Sequence, residues 1–302
     1  MADKLDILIP TCNRKTGLAI TLTSLLGQTY RDFDVFISDQ TEAEDYTSEI
    51  EILTICRAFA VQERRVRVFK HLPRRGMAEQ RNFLLSLSQA KYVQFLDDDL
   101  LLEPEVVERM LGVIEEEKCG FVGCCAIGLS HLDDYRPHQH NIELWDGPVK
   151  PEQFEWETIP WERHKVHNAA NAYHLYQKLA PHGGTIKYKV AWVGANVMYD
   201  RAKLLHVGGF SWWNLLPTEH AGEEVLAQLL LLRKYGGCGV LPSGTYHLEL
   251  PTLVEDRRVN ATSLFQQLTR ETHTRGEEEA VILEGTSNDE SRGENSHSDW
   301  KR

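Results

Sequence analysis

The stretch YVQFLDDD, residues 92–99, places three consecutive aspartates directly after a short apolar run. Such a run, rich in aromatic and β-branched residues, predicts a buried strand. Carboxylates crowded at a partly buried sheet edge ionise cheaply only if a cation or hydrogen-bond donors compensate them. A hard divalent cation, Mg²⁺ or Mn²⁺, does so most simply and leaves coordination positions for the phosphates of a diphosphate. A helix N-cap cluster or a solvated loop is the alternative interpretation.

The same alternation of short strands and helices extends to both sides of this stretch. Leucines repeat at helical spacing from Leu18 to Leu26, and further helices are predicted near residue 50, over 76–88 and from Pro104. The other predicted strands are LDILIP (5–10), DVFISD (34–39), RVRVFKHL (65–72) and FVGCCAIG (121–128). Strands that alternate with helices predict parallel pairing through crossover helices. The predicted fold class is therefore α/β, with a doubly wound, mostly parallel sheet and a Rossmann-like first half.

Polar residues follow three of these strands at the point where each strand ends. Because parallel strands share one carboxyl edge, where ligands of such sheets bind, these residues should converge there. Alternation along the strand predicts that Asp97 and Asp99 face one side and Asp98 the other. A turn role for Asp39 and a surface role for Arg14 and Arg81 are the alternatives. The candidate residues for a ligand site at this edge are Thr11, Arg14, Asp39, Arg81, Asp97 and Asp98.

The second half of the chain has a different composition. Seven of the 13 histidines lie in 131–189, among tryptophans and prolines, which predicts an inserted region over 131–190. One helix is predicted within it, roughly from Asn171 to Leu179, before the stop signal PHGG. Strand character resumes at KYKVAWVGANVMYD (187–200), and EEVLAQLLLLRKYGG (223–237) predicts an amphipathic helix followed by strands. We therefore predict segments 1–130, 131–190 and 191–265, and an acidic, disordered tail over 271–302.

Composition excludes several classes of protein. The 302-residue chain has 33 basic and 45 acidic residues and a net charge of -12, which argues against a nucleic-acid binder. Its longest apolar run near the C-terminal half is much shorter than the ~20 residues of a membrane-spanning helix. The six cysteines form no C-x-x-C pair, so a zinc site is not expected. The N-terminus lacks a signal-peptide pattern, which predicts a cytoplasmic protein and leaves peripheral contact with a membrane open.

An ordered set of motifs resembles the inverting glycosyltransferases of family 2, which have the GT-A fold and use nucleotide sugars. The set is LIPTCNR (8–14), ISDQT (37–41), GMAEQRN (76–82), FLDDD (95–99), GANVMYDR (194–201), GGF (208–210), GEE (222–224) and TYHLE (245–249). The resemblance implies a nucleotide-sugar-binding first half and an acceptor-binding second half.

The resemblance also implies roles for the matching residues, and the candidates that it gives for nucleotide binding are Thr11, Arg14, Asp39, Arg81, Asp97 and Asp98. Thr11 and Asp39 would line the nucleoside pocket, and Arg81 would approach the diphosphate. Asp97 and Asp99 resemble the outer members of the D-x-D motif, with Asp97 toward the ribose and Asp99 toward Mn²⁺ or Mg²⁺. His247 is similar to a histidine that assists metal or diphosphate binding, and a core histidine is its alternative.

The family usually carries Glu-Asp where this chain has Glu223 and Glu224. Glu224 takes the position of the general base, with Glu223 as the second choice, and a purely structural role at a helix N-terminus is the alternative. Trp212 and Trp213 are candidates for stacking on an acceptor, although tryptophan also packs well in cores.

The implied function is metal-dependent transfer of a sugar, with inversion, from a nucleoside diphosphate sugar to a hydroxyl. UDP is the expected nucleotide, and the acceptor, a saccharide, a lipid-linked group or a small molecule, stays open. A sugar nucleotidyltransferase and a non-catalytic nucleotide-binding member of the same fold are the alternatives.

Overall fold

A computed structural model describes residues 5–42, 49–180, 182–252, 254 and 256–270. The described residues up to Thr262 form one compact unit, and those from Ser263 onward belong to a second unit. The strands are β1 (Leu5–Thr11), β2 (Phe33–Asp39), β3 (Val66–Lys70), β4 (Tyr92–Leu96), β5 (Leu100–Leu102), β6 (Phe121–Gly123), β7 (Ile127–Gly128), β8 (Ile186–Tyr188), β9 (Asn196–Asp200), β10 (Gly237–Leu241) and β11 (Thr245–His247). The helices are α1 (Lys15–Leu26), α2 (Ile50–Val61), α3 (Met77–Leu87), α4 (Val106–Glu117), α5 (Asn171–Leu179), α6 (Arg201–His206) and α7 (Glu223–Tyr235).

Eight strands form the central sheet in the order β3-β2-β1-β4-β9-β6-β10-β8. Strands β3, β2, β1 and β4 are parallel neighbours, whereas β9 runs antiparallel to both β4 and β6. The predicted α/β class with a mostly parallel sheet is thus confirmed.

Both faces of β1 are buried, which explains its mostly apolar sequence. Ile7 and Ile9 belong to a core cluster with Leu18 and Leu22 of α1. The intervening Leu8 is also fully buried, and α3 packs against β1 and β2. Because side chains alternate across a sheet, a strand covered on both faces is mostly apolar, and the one buried acid near its start, Asp6, accepts a hydrogen bond from Ser88 Oγ.

A smaller sheet lies after the aspartate triplet and consists of β5, β11 and β7. The prediction of one strand over 121–128 is wrong, because residues 121–123 belong to the large sheet and 127–128 to the small one. Both strands are largely buried. An apolar run indicates that residues are buried, but it does not indicate that the chain passes from one sheet to another. In the small sheet His247 pairs with Leu100 in antiparallel register, which brings the histidine beside Asp99.

The antiparallel strand β9 starts where β4 ends, since Asn196 is in register with Leu96. The backbone N–H of Asp97 donates to the carbonyl of Ala195 at 2.8 Å. Ala195 has a φ of 71°, a strained conformation for a residue with a side chain. The start of β9 therefore lies against the aspartate triplet.

The region 131–190 contains short 3₁₀ turns, α5 at its predicted position and β8, which joins the edge of the large sheet. The division at residues 130 and 190 stays a prediction, and the predicted disordered tail lies outside the described residues. Across the described residues, no helix is long and apolar enough to cross a membrane. All six cysteines are free.

Candidate functional site

Asp98 and Asp99 share one arginine at the carboxyl edge of the sheet. Arg14 Nη1 lies 3.2 Å from Asp98 Oδ1 and 2.6 Å from Asp99 Oδ2. Thr11 Oγ1 donates to Asp98 Oδ2 at 2.6 Å. The predicted alternation is therefore wrong: Asp98 and Asp99 meet the same guanidinium, while Asp97 faces Arg81. The reason is that β4 ends at Leu96, so the triplet does not follow strand geometry.

Burial makes the ionised forms of the aspartates at this edge unfavourable. It raises the pKa of Asp98 to about 6, although the Thr11 hydroxyl and Arg14 act in the opposite direction. Burial also raises the pKa of Asp97, against the attraction of Arg81. A further positive charge would stabilise the ionised forms of these carboxyls.

Asp99 and His247 are the side chains best placed for a cation or a diphosphate. Among the described residues Asp99 Oδ1 is buried without a hydrogen-bond partner, and His247 Nε2 lies 3.4 Å from Asp99 Oδ2. His247 Nδ1 accepts the backbone N–H of Glu249 at 2.7 Å, so in the neutral ring the proton resides on Nε2. His247 is thus a hydrogen-bond donor in this arrangement, which suits a diphosphate oxygen better than a metal.

The carboxylates at this edge fit a cation that takes its remaining ligands from water and from the phosphates of a substrate. Within the described part of the chain, no group of three or more His, Cys, Asp or Glu side chains is arranged to hold a metal ion. Mg²⁺ typically binds through one or two carboxylates and completes its shell with water and substrate phosphates. Asp99, whose Oδ1 no described residue reaches with a hydrogen bond, fits that pattern. Asp97, two residues earlier, is the further carboxylate of the triplet that contacts Arg81, whereas Asp98 is held by Thr11 and Arg14.

Asp39 is fully buried at the end of β2 and is held by two donors. Its Oδ1 accepts the backbone N–H of Thr41 at 2.8 Å, and its Oδ2 accepts Lys70 Nζ at 3.1 Å. Gln80 Nε2 donates to the Ser38 carbonyl at 2.7 Å and so ties α3 to β2. Lys70 was not predicted from sequence, although its position at the end of β3 is the same signal that identified Asp39.

Arg81 contacts three carboxylates on the opposite side of the triplet. Its Nε lies 3.1 Å from Glu223 Oε1, and its Nη2 lies 3.3 Å from Glu224 Oε2 and 3.5 Å from Asp97 Oδ1. Burial alone would lower the pKa of Arg81, but the carboxylates of Glu224, Glu223 and Asp97 raise it above its ordinary value. Arg81, which was predicted to approach the diphosphate, therefore contacts the glutamate pair in this structure.

The two carboxylate oxygens of Glu224 differ in their partners. Arg81 contacts Oε2, whereas among the described residues no donor reaches Oε1, which lies near Gly194. Burial raises the pKa of Glu224, and the nearby Asp97 and Glu223 add to the effect against Arg81. Glu223 is more buried than Glu224, with 8% of its side chain exposed against 19%.

The two acceptor candidates differ in accessibility. Trp212 is 4% exposed and packs beside Phe210, whereas Trp213 is half-buried and offers more surface. Both belong to a 3₁₀ turn over Ser211–Leu215.

A buried histidine that sequence analysis missed connects α3 to the loop before the glutamates. His220 Nε2 accepts the backbone N–H of Ala78 at 3.1 Å, and Nδ1–H donates to the Pro217 carbonyl at 2.8 Å. A methyl group at Gly76 would lie 2.5 Å from the His220 ring, so only glycine leaves room there. A lone histidine carries no periodicity that could have identified it.

Together, the mostly parallel sheet, the acidic triplet at its carboxyl edge and the arginine-held glutamate pair define the class: a glycosyltransferase of the GT-A fold. The sequence profile described as Glycosyl transferase family 2 matches residues 6–180. The chain belongs to this family, as its motifs indicated.

Individual relatives are more distant and match only in part. An uncharacterized glycosyltransferase of Haemophilus influenzae is 34% identical over 112 residues, 37% of this chain and 35% of the relative. The UDP-Glc:alpha-D-GlcNAc-diphosphoundecaprenol beta-1,3-glucosyltransferase WfaP of Escherichia coli is 26% identical over 116 residues, 38% of this chain and 43% of WfaP. This chain thus spans less than half the length of these curated relatives.

A solved structure shares the fold. TarS 1-349 of S. aureus in complex with UDP-GlcNAc superposes with a TM-score of 0.53 and 14% identity, over 89% of this chain and 65% of the TarS chain. At this identity the likeness supports the GT-A fold alone.

Proposed function

We propose that this chain transfers a sugar from a nucleoside diphosphate sugar to an acceptor hydroxyl, with inversion at the anomeric carbon and with a divalent cation. The observation that carries the proposal is Glu224: one carboxylate oxygen is fixed by Arg81 and the other is free to accept a proton. UDP is the proposed nucleotide, because it is the nucleotide named for WfaP and for the TarS complex.

Each group at the site has a task in this reaction. Asp39 and Thr11 orient the nucleoside, and His247 Nε2–H is placed to donate to a diphosphate oxygen. Asp99, with Asp97, would hold the cation, which when bound neutralises charge on the leaving diphosphate.

Glu224 Oε1 removes the proton of the acceptor hydroxyl as its oxygen attacks the anomeric carbon. The bond from that carbon to the diphosphate breaks, and the electron pair leaves with the diphosphate. A base with a raised pKa is well matched to a weakly acidic hydroxyl near neutral pH.

Incubation with a set of UDP-sugars and Mn²⁺ tests the proposal. We expect UDP release that depends on acceptor and metal, and product of inverted anomeric configuration by NMR. A protein that binds UDP but releases no UDP from the UDP-sugars with any acceptor of a broad panel would contradict transfer and favour the non-catalytic alternative. Formation of a nucleotide sugar from a nucleoside triphosphate would instead favour the nucleotidyltransferase alternative.

A further inference from the structure

Trp192 and the free oxygen of Glu224 border the same small space. A methyl group added at Gly194 would lie 3.1 Å from Trp192 Cζ3 and 3.4 Å from Glu224 Oε1. Because residue 194 is glycine, this space stays open between the edge of the indole and the carboxylate. Trp192 is half-buried, so part of its surface is accessible.

Gln228 fixes this arrangement from α7. It lies one helical turn after Glu224, on the same side of the helix. Its Oε1 accepts the backbone N–H of Val193 at 2.7 Å, and its Nε2 donates to the Val193 carbonyl at 2.8 Å. The Gln228 side chain is fully buried, so both hydrogen bonds are shielded from water. The backbone between Trp192 and Gly194 is therefore attached to the helix that carries Glu224.

We propose that Trp192 is the platform on which the ring of a saccharide acceptor stacks, and that Gln228 is a positioning residue that sets this platform relative to Glu224. The inference rests on the proposed function and narrows the acceptor to a sugar. One face of a pyranose presents C–H groups, which the negative face of an indole attracts, while the hydroxyls project from the rim. Stacking on Trp192 thus brings a rim hydroxyl toward Glu224 Oε1, where orientation lowers the barrier.

The other tryptophans of the second half fit this role less well. Trp212 is buried against Phe210, and the described contacts of Trp213 do not include Glu224. Trp161 packs edge-on against Trp156 with ring centroids 6.0 Å apart. Trp192, in contrast, shares with the carboxylate of the proposed base the space beside Gly194.

Saturation-transfer NMR with methyl β-D-glucopyranoside and methyl N-acetyl-β-D-glucosaminide, in the presence of UDP and Mg²⁺, tests the platform. We expect ring-proton signals with the wild-type protein that fall at least about threefold in Trp192→Ala and Trp192→Leu, because leucine provides bulk without a π face. Trp192→Phe should keep most of the signal. Trp161→Ala is the matched control and should leave the signal unchanged.

Two further measurements separate this inference from folding and from the proposed function. Thermal unfolding identifies variants that have lost their structure, and UDP affinity in Mg²⁺ reports the donor side. Gln228→Leu should keep UDP binding and weaken the sugar signal, and it should lower transfer relative to hydrolysis of the donor by water.

Two outcomes would overturn the platform while the donor function stands. In the first, the wild-type protein binds UDP but gives no sugar signal. In the second, the signal is equal in wild type and in folded Trp192→Ala. Failure of the wild type to bind UDP with Mg²⁺ overturns the proposed function and the platform with it.

Discussion

Replacing Arg81 with glutamine removes the positive charge shared by Glu223, Glu224 and Asp97. The Arg81 side chain is only 5% exposed, and the three carboxylates lie within 3.5 Å of it. Loss of one partner of a buried ion pair costs about 3–5 kcal/mol, because an uncompensated charge stays buried. Glu224 is 19% and Asp97 35% exposed, so water will screen part of the repulsion. We therefore expect a loss near the lower end, about 3 kcal/mol of unfolding free energy at about pH 8.

The loss should shrink as the pH is lowered. Burial already raises the pKa values of Glu224 and Asp97 while Arg81 lowers them. Without Arg81 both pKa values rise further, so the Glu224 carboxyl of the folded variant is already largely neutral at about pH 8, and the Asp97 carboxyl becomes neutral as the pH falls toward about 5. The repulsion then disappears, and the difference between wild type and variant should be much smaller at about pH 5 than at about pH 8.

Urea unfolding followed by tryptophan fluorescence at both pH values measures this difference. The double variant with Glu224→Gln should recover part of the loss, since the two residues are in contact and their effects are not additive. Arg258→Gln, at an exposed ion pair with Asp256, is the control and should have no measurable effect. A loss below about 1 kcal/mol, or one that does not depend on pH, would refute the reasoning.

Three other substitutions test separate parts of the site. Glu224→Gln should lower transfer by about 10²- to 10⁴-fold, since this is what a general base contributes. The wild-type rate should fall as the pH drops below about 8, where Glu224 becomes protonated, and pH–rate profiles measure both effects. Arg14→Gln frees its two aspartate partners, so the variant should bind Mn²⁺ without nucleotide more tightly than wild type by calorimetry; equal affinity would contradict this. Gly76→Ala, at a φ of 99° and against His220, should cost about 1–3 kcal/mol by urea unfolding. Its control Gly112→Ala, in open space within α4, should instead stabilise by about 0.5–1 kcal/mol; equal effects would show that the contact with His220 is unimportant.

The parallel half of the sheet could be predicted because its strands are covered on both faces. Largely apolar runs such as 5–10 and 34–39 and the helices between them imply parallel crossovers, and α5 was predicted at Asn171–Leu179. The direction of β9 and the break between β6 and β7 could not be predicted. Strand direction depends on hydrogen bonds between segments far apart in sequence, and burial patterns carry no information about it.

For the site, sequence identified which residues lie at the carboxyl edge but not what they contact. Their positions directly after predicted strands identified Thr11, Asp39 and the aspartate triplet. It could not show that Arg81 turns to the glutamates, because that pairing joins residues 142 positions apart. Gln228 was hidden for a related reason: a single amide in an apolar helix shows no pattern until its backbone partner is known.

The salt link between α3 and the start of α7 has a consequence for engineering chimeric enzymes. The family profile ends at residue 180, so Arg81 lies inside the matched range and the acids at 223 and 224 lie beyond it. A hybrid that joins this amino-terminal portion to the remainder of a distant homologue would contain Arg81 without the two glutamates that neutralise its charge. Designers who move the crossover point, or transplant the arginine and both glutamates as one cassette, should recover soluble hybrids where a cut at the profile boundary fails.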